Sequence, residues 1–342
     1  MKAIALHEYG GFDALRFEEV PTPEPGLGEV LIRVHAAGVN HCDTDVRRGV
    51  FGVLQRFPHV MGVDAAGVVE SVGPGVTAFE PGDRVAPHFM LSCGACRNCR
   101  RGLENICLNA QVLGVTTWGS YAQYVKVAQH NVIRLPDGLS FEDAAAALVP
   151  FATAWEGLVT VAKLTAGETV LVNAAGSGVG SAAVQIARLA GARVIATVGS
   201  DEKAAQARAL GAEAVVNYSR DNVAEAVMRL TGGLGVDVAF DMVGGARLLD
   251  CVAALAQGGR IATVGAHGGE KVEFDMIEFF RKHISMHGCG RSTPVIAADV
   301  LALVAAGKLK PVLFRTFPLA EAAAAHRLME SRAFFGRMVL LP

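Results

Sequence analysis

The chain carries almost no net charge. Its 31 basic and 33 acidic side chains leave a formal charge of −2 over 342 residues, which gives no indication of a polyanion-binding surface, so no nucleic-acid partner is expected. With 51% hydrophobic and 19% charged residues, it also lacks the composition of a disordered chain. The segment MKAIALHEYGG offers one Lys and an uninterrupted run of four apolar residues ahead of His7, too few for a signal-peptide core, and no later apolar run is expected to approach the span of a bilayer. A cytoplasmic protein without a membrane partner is the expectation. Cysteine is sparse outside one segment: of seven in all, Cys42, Cys251 and Cys289 are scattered. An odd, dispersed set does not make a secreted disulfide framework. No nucleophile-elbow sequence occurs, so a base of the Ser-His-Asp kind is not expected.

The length suits two domains, each able to bury a core. From residue 1 to 129, short β-branched runs alternate with Gly/Pro turns (EVLIRVHAAGV, GVVESVGPGV, YAQYVKV), the pattern of a mostly β domain. From about Glu168 apolar strands alternate with amphipathic helices. TVLVNAA, ARVIATVG, AEAVVNY, VDVAFDM, GRIATVG and HISMHG supply six strand candidates, the number a doubly wound parallel sheet needs. Residues 130–310 are therefore assigned to that α/β domain, and the tail 311–342 is expected to return to the first.

TVLVNAA runs into AAGSGVGS and then a helix pattern. Glycines at such a junction let the backbone approach a pyrophosphate, and the helix N-terminus offers free N–H groups. Gly176, Ser177, Gly178, Val179 and Gly180 are the candidate cofactor-binding residues, although the G-x-G-x-x-G frame from Gly176 ends on Ser181. The second strand ends Val198-Gly199-Ser200, without the carboxylate that would hold a ribose 2'-hydroxyl, and Lys203 follows. That arrangement favours NADP over NAD. In the alternative, Ser200 only caps a helix and Asp201 reaches the ribose.

Cys93, Cys96, Cys99 and Cys107 follow C-x2-C-x2-C-x7-C. Four thiolates this close fill a tetrahedral zinc shell and leave no position for water, so one structural zinc per chain is expected. An iron-sulfur cluster would want its fourth Cys sooner, with Pro after it, where Leu108 stands.

Taken together, GEVLIRVHAAGVNHCDTD, GVDAAGVVESVGPGV, GDRV before the cysteine segment, AAGSGVGSAAVQIARLAGARVIAT and the closing FGRMVLLP resemble the medium-chain dehydrogenase/reductase superfamily. The resemblance covers essentially the whole chain. It implies a GroES-like, mostly β catalytic domain and a Rossmann domain, with subunits paired through HISMHG into a homodimer or homotetramer. Where zinc alcohol dehydrogenases of that superfamily hold a catalytic zinc, this chain has Asn40, Val63 and Val149. GVN followed by Asp43 is similar to the quinone oxidoreductase branch, although those enzymes mostly lack the cysteine lobe. The branch also implies Lys203, Tyr218 and Arg332 around a 2'-phosphate, Phe89 in the substrate pocket, and Thr153, Val264, Gly265 and Ala266 near the nicotinamide.

Without a metal electrophile, the substrate must carry its own charge sink, as a conjugated enone or quinone does. Hydride transfer from NADPH to a small apolar substrate of that kind is the expected activity. Asn40 is a candidate oxyanion donor or a loop anchor, and Cys42 a proton carrier or a packed thiol. Asp43 and Asp64 either orient neighbours or serve as capping and ion-paired carboxylates. Phe51, Leu54 and Trp118 suggest an apolar pocket and equally suggest packing. A relocated catalytic zinc on His41, Cys42, His59 and Asp64, which would make an alcohol dehydrogenase or carbonyl reductase, is the rival reading. A cofactor-binding protein with little catalysis is another.

Overall fold

In the strand Glu29–Gly38, Ile32, Val34 and Ala36 are buried while Arg33 and His35 face out, the period of two that a half-covered strand requires. The computed structural model, which describes residues 1–50, 52 and 56–342, makes this strand the hub of a seven-stranded sheet. It pairs antiparallel with Ala66–Val72, with Tyr124–Ala128 and, through Ala37 and Gly38, with the closing strand Arg337–Leu341. The last pairing brings the tail back to the first domain. Ile32, Met61, Val85, Leu113, Tyr121, Val125, Met338 and Leu340 belong to one buried cluster at this sheet.

Two compact units result: Met1–Val149 with Ser292–Pro342, and Pro150–Arg291. The borders read from the sequence, after 129 and after 310, fall within the first unit. Val132–Arg134 pairs with Arg84–Pro87, and the helix Pro294–Ala305 packs on Val132–Arg134, so these segments cannot be separated from the β domain. The first division falls at Pro150 inside the helix Phe141–Trp155. A proline there removes one helical N–H.

That helix also corrects the expectation about apolar runs. With its continuation it spans Phe141–Val161, 21 residues, long and apolar enough to cross a membrane by length and composition. Its most apolar window is 72% buried within the protein, which marks a core helix. Ala144 to Leu148 are essentially inaccessible.

The second unit is built on six parallel strands in the order Ala214–Asn217, Arg193–Val198, Thr169–Val172, Val236–Asp241, Leu255–Thr263, Ser285–Gly288. Val194 to Val198 are buried without alternation, as a sheet covered on both faces demands. The order reverses between Thr169–Val172 and Val236–Asp241. In such sheets the carboxyl ends of the two strands at the reversal open the crevice that receives a ligand.

Candidate active site and metal centre

At that reversal, strand Thr169–Val172 leads through Asn173 to Ser177 into the helix Gly178–Leu189. Ser177 caps the helix, its hydroxyl accepting from the Gly180 N–H at 2.9 Å. A Cβ on Gly180 would strike the Ala174 carbonyl, so only glycine lets the helix start this close to the strand end. Gly176 to Val179 are partly exposed, while Gly180 is buried. A buttress of side chains ties the strand ends together. Thr197 donates to Asn173 Oδ1 (2.6 Å), Asn173 Nδ2 donates to Asp241 (2.8 Å), and Asp241 accepts from the N–H groups of Val243 and Gly244. The glycine turn thus fits the pyrophosphate of a dinucleotide, with helix N–H groups on offer and no side chain at the closest approach.

The loop holding Val264, Gly265 and Ala266 leaves the fifth strand and is pinned to the loop after the fourth. Val264 N–H donates to the Asp241 carbonyl at 2.9 Å, and a Cβ on Gly265 would meet the Met242 carbonyl. Thr153 is buried in the same unit. At the second strand end, Ser200 caps the helix Asp201–Ala209 and accepts from Lys203 N–H at 3.3 Å. Asp201 is held by Asn217 Nδ2 (3.1 Å) and Arg220 Nη1 (3.2 Å), which lower its pKa. The Tyr218 hydroxyl lies against Gly199, where a Cβ would come within 2.7 Å of it. Arg332 belongs to the other unit, in the left-handed cap of the helix Ala322–Ser331.

In the β unit, the four cysteine sulfurs all lie within 4.8 Å of one another. Cys96 is 3.5 Å from Cys99 and 3.9 Å from Cys107, and Cys107 is 3.5 Å from Cys93. Tetrahedral zinc with bonds of about 2.3 Å separates its sulfurs by about 3.8 Å, so the donor set fits that ion. Backbone N–H groups of Cys99 and Leu108 draw the Cys96 thiol down to about 6, toward the thiolate a metal needs. Among the described residues this is the single convergence of three or more metal-capable side chains.

Where the resemblance places catalytic-zinc ligands, the same unit has a network of another kind. Arg337 donates from Nη2 to Asp64 Oδ2 (2.8 Å) and from Nη1 to Asn40 Oδ1 (2.9 Å) and the Val39 carbonyl (2.7 Å). Asn40 Nδ2 donates to Asp64 Oδ2 at 3.0 Å and makes a long contact, 3.4 Å, to the Gly38 carbonyl. Asp64 Oδ1 accepts from the Val149 N–H at 3.2 Å. A Cβ at Gly38 would sit 2.6 Å from Arg337 Nη2, which explains a glycine before Val39 and Asn40. Asp43, third residue of the helix His41–Arg48, reaches back to the Asn40 N–H (2.8 Å) and accepts from Tyr121 Oη–H (2.9 Å). Both Asp43 and Asp64 are fully buried, and desolvation raises both carboxyl pKa values, Asp43 to about 7. Burial and the neighbouring carboxylates also push the Cys42 thiol upward, so it stays protonated.

The set proposed for a relocated zinc does not converge: His59 Nε2 is bonded to the Gly114 carbonyl (3.0 Å) and Asp64 to Arg337. Phe89 is buried in the core cluster. Trp118 donates to the Pro58 carbonyl (3.2 Å) and packs on the Ala3, Ala5 and Val60 group. Beside Leu91 and Tyr124, Trp118 lines a groove of ≈ 420 Å³. Phe51 and Leu54 lie outside the described residues. Sequence reasoning missed Arg337 and Tyr121. The available signal was Arg337 itself, a lone charge in the apolar closing run FFGRMVLLP.

Comparison with known proteins matches two family models, one on each side of the helix Phe141–Trp155. The alcohol dehydrogenase GroES-like domain matches residues 26–137, and the zinc-binding dehydrogenase domain matches 178–306. A human quinone oxidoreductase is 32% identical over 349 aligned positions, covering 100% of this chain and 98% of the other. A 2-haloacrylate reductase from Burkholderia sp is 34% identical, covering 99% and 98%. The crystal structure of an NAD-dependent alcohol dehydrogenase superposes with a TM-score of 0.96 at 43% identity, covering 100% of both chains. With a glycine turn fit for a dinucleotide and a β unit bearing a four-cysteine lobe, the chain belongs to the medium-chain dehydrogenase/reductase superfamily and is a nicotinamide-dinucleotide-dependent oxidoreductase of the quinone oxidoreductase and alcohol dehydrogenase type.

Proposed function

We propose that this enzyme transfers hydride from NADPH to a small apolar enone or quinone, with one structural zinc in the cysteine lobe and no metal at the substrate. The carrying observation is the donor set. Val63 and Val149 offer a metal no side-chain atom, while Asn40 and Asp64 spend their polar atoms on Arg337 and each other. The bound dinucleotide supplies the hydride. A conjugated acceptor spreads the resulting charge onto an oxygen, which one hydrogen-bond donor can stabilise. Asn40 is that donor: Arg337 and Asp64 fix its amide plane, and its second N–H makes only the 3.4 Å contact to Gly38. The thiol of Cys42, kept protonated, holds a proton nearby in sequence. Ser200 and Lys203 receive the 2'-phosphate, and the reading is supported by Asp201, the rival ribose acceptor, being engaged by Asn217 and Arg220. Strand Ser285–Gly288 is the outer edge of its sheet and can pair with a second copy.

The 43% identity to an NAD-dependent alcohol dehydrogenase favours a second reading, alcohol oxidation with NAD. Zinc per chain by mass spectrometry, combined with cofactor turnover on an enone, a quinone and an alcohol, separates the two. One zinc, with NADPH-driven reduction of the enone or quinone, is expected. Two zincs, with alcohol the best substrate, would overturn the proposal.

A further inference from the structure

Asp43 is a buried carboxyl of the β unit with no ion pair among the described residues. Asp64 has Arg337 at 2.8 Å, but Asp43 takes only the Asn40 N–H and the Tyr121 hydroxyl, both on Oδ2, and its buried Oδ1 has no partner. The groups leading to it are connected in one direction. Arg47 Nη1 lies 3.5 Å from His326 Nδ1, and an arginine can only donate, so Nδ1 accepts and the ring proton sits on Nε2. That proton points to the Tyr121 oxygen at 3.4 Å, which leaves the phenolic proton for Asp43. Burial and the adjacent Arg47 charge hold His326 neutral, its pKa pushed down to about 3. A protonated His326 would offer two donors, and the chain would have no direction.

We propose that Arg47, His326 and Tyr121 are positioning residues that deliver a one-way line of hydrogen bonds to Asp43, and that a proton gained or lost at Asp43 Oδ1 sets how firmly Asn40 is held. The proposal rests on Asn40 being the oxyanion donor. As a carboxylate, Asp43 grips the Asn40 N–H and Tyr121 Oη–H with charge-assisted bonds, roughly twice as strong as neutral ones. With a proton on Oδ1 the grip weakens and the first turn of the helix loosens. Other charges face this site from every side: Cys42, Asp45 and Arg47 on its own helix, Asp64 after the strand His59–Val60, Tyr121, His326 on the C-terminal helix, and Arg337 on the closing strand. Asp64 raises the Asp43 pKa and Arg337 lowers it, while burial outweighs both and places it near neutrality, at about 7.

The test is kcat/KM against pH with NADPH and an enone, for wild type, Asp43→Asn and Tyr121→Phe. Wild type should rise through an inflection near 7. Asp43→Asn should give a flat profile at the low-pH plateau, and Tyr121→Phe should keep the inflection but move it upward, because the carboxylate has lost a donor. A merely structural role would lower all points alike. An unmoved inflection in both variants overturns the proposal. Should wild type reduce neither enone nor quinone, the functional reading fails but melting temperature still reports on Asp43. A carboxyl whose pKa is raised on folding contributes stability that is full below its unfolded value and is lost by the time pH reaches the folded one, so wild type should lose stability relative to Asp43→Asn between about pH 4 and 7 and run parallel to it above. Curves parallel throughout overturn the proton at Asp43 independently of activity.

Discussion

Two places in the β unit are built from groups that can bind a metal, and they differ in whether those groups are already spent. In the cysteine lobe, the sulfurs of Cys93, Cys96, Cys99 and Cys107 have little but one another and a few backbone N–H groups. At Asn40 and Asp64, every strong acceptor faces a guanidinium or an amide of the protein itself. The first arrangement leaves its donors open to a cation. In the second, Arg337 is the cation, permanently charged and covalently part of the chain. A metal site is therefore recognised by donors that lack internal partners, beyond the mere presence of donor residue types.

The largest effect expected from this contrast is in the lobe. Cys99→Ser removes a buried sulfur from the cluster, and zinc per chain should fall from one to near zero. Apparent binding energies for structural zinc run to about 10–16 kcal/mol in zinc-finger peptides, so the segment should lose its local fold and become cleavable between Cys93 and Cys107. Mass spectrometry and limited proteolysis check both. Retained zinc would break the comparison from one side.

Arg337→Met comes next. It leaves Asp64, fully buried, without its counter-charge, and breaking one half of a buried ion pair costs about 3–5 kcal/mol. Denaturant unfolding should show that loss, and pairing it with Asp64→Asn should recover much of it. If Arg337→Met instead binds a second zinc at wild-type stability, the guanidinium was only occupying a metal position, and the comparison breaks from the other side.

How much of this was legible follows the same line. The glycine turn and the cysteine lobe each lie within about 15 residues of sequence, and spacing alone marks them, so both could be picked out as candidates before the fold was known. The parallel sheet was equally legible, since a strand covered on both faces reads as an unbroken apolar run, as in Arg193–Val198. The borders of the units were not, because a helix such as Pro294–Ala305 looks the same whichever domain it packs on. The polar cluster was half legible. Asn40, Asp43 and Asp64 lie near one another in sequence, but Tyr121 is placed by backbone bonds to Ile4 and Met61, and Arg337 reaches them from the closing strand that pairs Val339 with Gly38. The partner that decides whether a carboxylate is available is set by topology, and a lone arginine in an apolar strand is its only trace in sequence.

The smallest structural effect, and the sharpest functional one, is expected of Asn40→Ala. Its partners are not stranded: Arg337 keeps Asp64 and the Val39 carbonyl, and Asp64 keeps Arg337 and the Val149 N–H. The loss of stability should be about 1 kcal/mol, the net worth of ordinary hydrogen bonds. Activity should respond on a different scale, because removing an oxyanion donor costs about 10²–10³-fold in kcat while leaving substrate binding largely intact. A drop of that size on the enone with KM little changed would set Asn40 apart from Asp64, its neighbour in the same network, as the member that faces chemistry. An equal fall in stability and activity would make the whole cluster scaffold, and the oxyanion donor would have to be sought elsewhere.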